Sequence, residues 1–183
     1  MHKPVVVGEA LVSPVLLVGQ APGDKEPGLG RPFAWTAGKQ LFKWFAPLGL
    51  NESEFRARVY MAAVCRCFPG KNPKGGDRVP SRDEIAHCRP WLEREIELLQ
   101  PDLIIPVGRL AIEQFLPPLP LVQQIGPLQR VTLGQRRIDV IALPHPSGAS
   151  TWPRTDPGKT LTDSALQRIA VHRAWRSLTA RRS

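Results

Sequence analysis

The stretch VLLVGQAPGDKEPGLGRPF, Val15 to Phe33, decides the fold. It opens with the apolar run Val15-Leu16-Leu17-Val18, short and β-branched enough for a buried strand. Gly19, Pro22, Gly23, Gly28 and Gly30 follow, so the chain leaves that strand through a tight, backbone-exposing loop. A helical pattern comes next, with Leu41, Phe42, Trp44 and Phe45 as its apolar positions. Strand, glycine loop and helix together hold ligands at the carboxyl edge of α/β sheets.

Outward from that stretch the same alternation repeats. Thr36 is placed to cap the first helix and Gly49 to stop it. Residues 59–64, VYMAAV, read as a second strand, and Phe68 to Pro80, rich in Pro, Gly and basic residues, as a surface loop. Ser81 with Glu84 three residues later forms a capping box for a helix carrying Ile85, Leu92, Ile96 and Leu99, with a kink or break expected at Pro90. Leu103 to Val107 reads as a third strand, followed by a short helix from Gly108. Arg130–Leu133 and Ile138–Leu143 flank Gly134-Gln135 as a hairpin whose second arm doubles as a fourth core strand and runs into His145-Pro146-Ser147-Gly148. Leu161 to Leu178 reads as one amphipathic helix. The expectation is one three-layer α/β/α domain over residues 1–183, with a mainly parallel four-stranded sheet.

Bulk chemistry narrows the partners. Lys+Arg 25 against Asp+Glu 16 gives a net charge of +9, which favours an anionic partner, nucleic acid before membrane. Three cysteines, an odd number, argue against a disulfide framework and suit a reducing cytoplasm. No apolar run is long enough to cross a bilayer, and the amino-terminal segment, broken by Glu9, makes a poor signal peptide. A Rossmann-type site is disfavoured, since no GxGxxG follows a strand and the expected acidic residue is missing.

With GQAPGDKE…GRPF…AG at the front, VYMAAVCRC…P…DEIAHC…L in the middle, PDLIIPVG later and HPSG near the end, the chain resembles the uracil-DNA glycosylase superfamily, nearest its iron–sulfur-containing family 4 branch. The likeness spans roughly residues 15 to 175. It implies a cytoplasmic, nucleoid-associated and monomeric monofunctional enzyme of base excision repair. Such an enzyme flips uracil or another deaminated base out of DNA and hydrolyses its N-glycosidic bond. As that bond stretches, negative charge grows on the base and positive charge on the sugar. The site therefore needs a donor at the base oxygen, a carboxylate or oriented water at the sugar, and an aromatic face under the ring. By resemblance, His145 is the donor and Phe33 the stack, while Gly19, Gln20 and Ala21 form the water- and base-binding loop. Ser147, Gly148 and Ser150 form the DNA-gripping segment. Lys71, Lys74 and Arg78 read either as phosphate contacts or as a solvated turn.

Three departures from the family pattern stand out. Gln20 occupies a position where the family usually carries Glu, and a neutral amide holds a water without taking its proton. Glu26 matches a second acidic position and is the preferred carboxylate, with Asp24 between the two. Ala63 replaces the Asn that reads the uracil edge, so base identity falls to backbone groups or another side chain. Cys67 and Cys88 match two cluster ligands, but the amino-terminal pair is missing and three cysteines cannot complete a four-cysteine cluster. The expectation is no cofactor, with buried free thiols favoured over a zinc site made of Cys65, Cys67, Cys88 and His87.

Each residue also has a plainer reading: His145 as a satisfied histidine, Phe33 as core, Glu26 as a solvated acid, Trp152 as core or as a wedge against DNA. Gln20 and Ala63 motivate the alternative of a weakened site that binds uracil-containing or single-stranded DNA without turnover. A small-molecule nucleotide enzyme rests on fold analogy alone.

Overall fold

In the computed structural model, which describes residues 1–73, 75–148 and 150–180, the apolar runs become the strands of one sheet. Strand β1 (Val15–Gly19) is buried at all five residues. It pairs in parallel with β2 (Tyr60–Ala63) on one side and β3 (Leu103–Pro106) on the other. Strand β5 (Arg136–Ile141) lies parallel to β3, and β4 (Leu128–Leu133) closes the edge antiparallel to β5. The order is β2-β1-β3-β5-β4, so the sheet has five strands where four were expected. The first arm of the hairpin is a full strand because all six of its residues pair with β5.

The helices follow from the crossovers. Between β1 and β2 run α1 (Glu26–Leu29), α2 (Thr36–Phe45) and α3 (Glu52–Arg58). Between β2 and β3 runs α4 (Arg82–Leu99). The chain steps one way along the sheet from β1 to β2 and the opposite way from β2 to β3. Parallel crossovers are right-handed almost without exception, which puts α2–α3 and α4 on opposite faces. Short helices α5 (Arg109–Ile112) and α6 (Leu121–Gln124) precede the hairpin, and α7 (Gly158–Val171) and α8 (Arg173–Thr179) end the chain. Phe45 of α2 lies 4.7 Å from Phe55 of α3 and 5.1 Å from Trp175 of α8, ring centre to ring centre, which joins α2, α3 and α8 on one face.

Three local expectations are corrected. Thr36 is the first residue of α2 rather than its cap; Trp35 holds the cap position and no side chain caps the helix. Helix α4 is not broken at Pro90 but runs on to Leu99, with Pro90 and Ala86, whose carbonyl loses its donor, both facing water. The last helix divides at His172, whose Nδ1 accepts the backbone N–H of Ala174 at 3.2 Å and caps α8, while its Nε2 meets Asp139 at 3.1 Å. The Ser81 capping box forms as read, with Glu84 reciprocating. Trp152 begins a 3-10 turn and packs against the core. Among the described residues, no helix is long and apolar enough to cross a membrane.

The direction of travel reverses at β1, so its carboxyl end is a topological switch point, where open α/β sheets hold ligands. The pairing continues past the strands there. Val64 N–H donates to the Gly19 carbonyl (2.9 Å), Cys65 N–H to Gln20 (3.0 Å), and Gly108 N–H to Leu143 (2.9 Å). The loops of the site therefore leave the sheet from backbone already held in place.

Candidate active site

One cavity of about 400 Å³ opens at this switch point. Gly19, Gln20, Ala21, Asp24, Glu26, Phe33, Ala63, Arg78, His145 and Ser147 all line it, so residues far apart in sequence converge on one space. Gly148, Ser150 and Lys71 lie outside the lining, and Lys74 lies outside the described residues.

The Phe33 ring rests on the bare Cα of Gly19: a Cβ there would sit 2.9 Å from two ring carbons. Phe33 itself holds a left-handed backbone, φ 52°, uncommon for a bulky residue. Arg56 explains how it persists. Its guanidinium donates to the carbonyls of Pro32 (2.9 Å) and Phe33 (3.0 Å), while its Nε is paired with Glu52. Glu26 secures the same turn from the other side. Buried at the start of α1, it accepts the N–H of Gly23 at one oxygen (3.2 Å) and that of Ala34 at the other (3.1 Å). Burial raises its pKa above the ordinary value, and the backbone donors at Gly23, Ala34 and Phe33, with the Arg56 cation nearby, only partly offset this.

His145 follows β5 and stands on Gly108, where an added Cβ would lie 3.1 Å from the imidazole Cδ2. Gly108 has φ 85° and ψ 159°, a region open essentially to glycine alone. The N–H of Ser147 donates to His145 Nδ1 at 3.2 Å. That bond makes Nδ1 an acceptor and leaves the proton of the neutral ring on Nε2. His145 is open to water across the cavity yet crowded by protein on its other sides, and this crowding pushes its pKa below the usual value. The result is a neutral donor.

The charged residues at the rim are mostly paired. Asp24 meets Lys71 at 2.9 Å, and that hydrogen bond holds its carboxyl below the ordinary range. Lys71 also bonds Asp77 at 2.8 Å, tying the Gln20–Glu26 loop to the basic loop. Arg78 grips both oxygens of Glu84, at 2.7 and 2.5 Å. These pairings make Lys71 and Arg78 ties of the loop as much as free cations. Beyond the lining, Ser150 N–H closes a turn onto Ser147 O (3.2 Å), and Arg154 donates to Gly148 O (3.0 Å).

The uracil-DNA glycosylase superfamily profile matches residues 6–170. The chain belongs to the uracil-DNA glycosylase superfamily. Among relatives, this superfamily member is 38% identical over 96 residues to a Type-4 uracil-DNA glycosylase of Sulfurisphaera tokodaii, covering 52% of this chain and 40% of that one. It is 30% identical over 145 residues to the Type-4 enzyme of Archaeoglobus fulgidus, 76% of this chain and 68% of that one. To the Type-4 enzyme of Thermotoga maritima it is 35% identical over 112 residues, 61% of this chain and 54% of that one. The matches thus span 40–68% of the length of these relatives.

The iron–sulfur cluster of the family 4 branch does not fit the donor set here. Its four thiolates exceed the three cysteines of the chain. Cys65 is fully buried, and burial, with the Cys88 thiol beside it, pushes its pKa up. Among the described residues, no three of His, Cys, Asp and Glu are grouped to hold a metal ion. His87, the fourth residue of the zinc reading, turns its Nδ1 to the Asp83 carbonyl at 2.7 Å.

Sequence reading missed Arg56, Gly108 and Trp35. Arg56 sits in an ordinary helix and acts across more than twenty residues, with no local motif to mark it. Gly108 was legible only as a helix start. Trp35 had a signal, an aromatic residue directly before the first helical turn.

Proposed function

We propose that this chain is a monofunctional DNA glycosylase that hydrolyses the N-glycosidic bond of uracil, or a related deaminated base, flipped out of DNA. The observation that carries the reading is the pairing, in one cavity, of an aromatic face at Phe33 with a neutral His145 whose Nε2–H has no partner among the described residues.

The base enters over Phe33 and Gly19. As the glycosidic bond breaks, its electron pair leaves with the base, and His145 Nε2–H donates to the base oxygen where that charge collects. A donor that is already neutral gains strength as the anion forms, so it favours the transition state over the bound substrate. The sugar cation faces the carboxylates of Glu26 and Asp24, and the Gln20 amide orients the water that adds to the sugar carbon. The proton released by that water passes to solvent or to a carboxylate. Ala63 contributes only a methyl group, so backbone around Gly19 to Ala21 reads the base edge. Ser147, Gly148 and Ser150 grip phosphate, with Lys71, Lys74 and Arg78 as secondary contacts. The protein acts as a monomer, in the cytoplasm, without a cofactor.

Incubation with a uracil-containing oligonucleotide followed by hot alkali tests the reading. Strand scission means that an abasic site was made. A gel shift without scission identifies a binding module, the outcome that the neutral Gln20 would favour.

A further inference from the structure

The mouth of the cavity carries an aromatic residue that the chemistry above does not use. Trp35 lines the cavity and is 49% exposed. Its backbone is unusually well held for a loop residue. Ala34, beside it, donates to Glu26, and Arg56 grips the two carbonyls just before, so the indole is presented from fixed backbone. Lys39 sits one turn along α2 with its ammonium 5.8 Å from the Trp35 ring centre. Lys43 follows after another four residues, also exposed. Positions four apart share a helix face, so the three side chains form a stripe of about 12 Å leading away from the cavity, at about 1.5 Å per residue. Among the described residues, neither lysine is in an ion pair, in contrast to Lys71 and Arg78.

We infer that Trp35, Lys39 and Lys43 form a path for single-stranded DNA, in which Trp35 stacks on a base adjoining the flipped nucleotide and the two lysines meet the phosphates beyond it. The inference rests on the reading of the cavity as a base pocket on a DNA strand. A flat apolar ring at the mouth suits the open face of an unstacked base. In a duplex the uncovered faces beside a flipped nucleotide line the gap it leaves inside the stack, whereas along a single strand the faces of successive bases are open to a ring standing at the rim. Stacking on a fixed aromatic residue is tolerant of sequence, and lysines beyond it supply the backbone attraction such paths use. Continuity with the cavity and charge complementarity select nucleic acid over a protein partner. Presentation on pinned backbone lowers the ordering cost of the contact.

The test uses the whole chain and a fluorescein-labelled single-stranded oligonucleotide carrying a tetrahydrofuran abasic analogue, read by anisotropy. Trp35→Ala should weaken binding about 5- to 160-fold, and Trp35→Phe should retain most of the affinity. Lys39→Gln/Lys43→Gln should lower the slope of log affinity against log salt by about 0.7 for each phosphate no longer neutralised. The same variants on a matching duplex should show smaller losses. Equal losses on duplex and single strand overturn the single-strand assignment. Unchanged affinity and slope in every variant, with uracil still excised by the unaltered protein, overturn the path and leave the glycosylase reading intact. Weakened variants alongside an unaltered protein that excises no uracil support the path and sink the glycosylase reading instead.

Discussion

The backbone N–H of Ser147 donates to Nδ1 of His145 across 3.2 Å, and this one bond sets the tautomer of the ring. Protonating Nδ1 would break the bond and place a cation in a crowded recess. His145 therefore stays neutral wherever its lowered pKa lies below the working pH.

His145→Ala should slow single-turnover uracil excision by about 10²–10³-fold, roughly 2.7–4 kcal/mol of transition-state stabilisation, with DNA affinity little changed. Rapid-quench kinetics check this; excision at the unaltered rate would remove His145 from the mechanism. The rate should also be level above the ordinary histidine pKa of 6.5 and fall only on the acid side. Linkage gives stability the same sign. With the folded pKa depressed, the unfolded chain binds the proton more readily, so stability from this group is lost as pH drops below 6.5 towards the folded value.

Glu26 has the opposite sign. Its folded pKa lies above 4.5, so the folded protein holds the proton more tightly, and stability from this group declines as pH rises from 4.5 through the folded value. Glu26→Gln should cost about 1–3 kcal/mol, because an amide NH₂ then faces a backbone N–H at Gly23 or Ala34. The stability gap between the unaltered protein and the variant, from urea midpoints, should narrow as pH rises through that window. Excision should slow as the carboxylate is lost.

Gly108→Ala should cost about 1–3 kcal/mol for a backbone region open essentially to glycine. Because the new methyl also presses on the imidazole, excision should fall further than the stability loss explains. A variant with unaltered urea midpoint and unaltered rate would refute both roles.

Protein purified as expressed should lack the brown colour and near-visible absorbance of an iron–sulfur cluster, since three cysteines cannot supply four thiolates. Stoichiometric iron and sulfide by elemental analysis would overturn this.

The legibility of the chain follows the range of each interaction. Val15–Val18 and Leu103–Val107 declare themselves as strands because a buried parallel strand is apolar on both faces. Strand β4 is harder to read because Arg130 and Thr132 face water and dilute the apolar signal. The helix from Leu161 reads as unbroken because its apolar spacing persists through Ala174, whereas the break at His172 depends on Asp139, a partner on another element. In the site, both glycine- and proline-rich loops are visible as motifs. What pins them is not: the grip of Arg56 on Phe33, the Lys71 bridge and the Gly108 floor are long-range contacts between residues of common type.

The aromatic cluster that joins α2, α3 and α8 has a consequence for synthesis. Trp175 is fully buried against Phe45 and Phe55, and its indole N–H donates to Leu48 O, 127 positions back along the chain. The first helices therefore emerge from the ribosome with a large apolar face that has no cover until the final helix is translated. At about 5–20 residues per second that interval is on the order of 10 s, long enough to make the nascent amino-terminal half a client for chaperones. A chain cut short before Trp175 would carry the complete HPSG loop and still leave Phe45 and Phe55 open to aggregation.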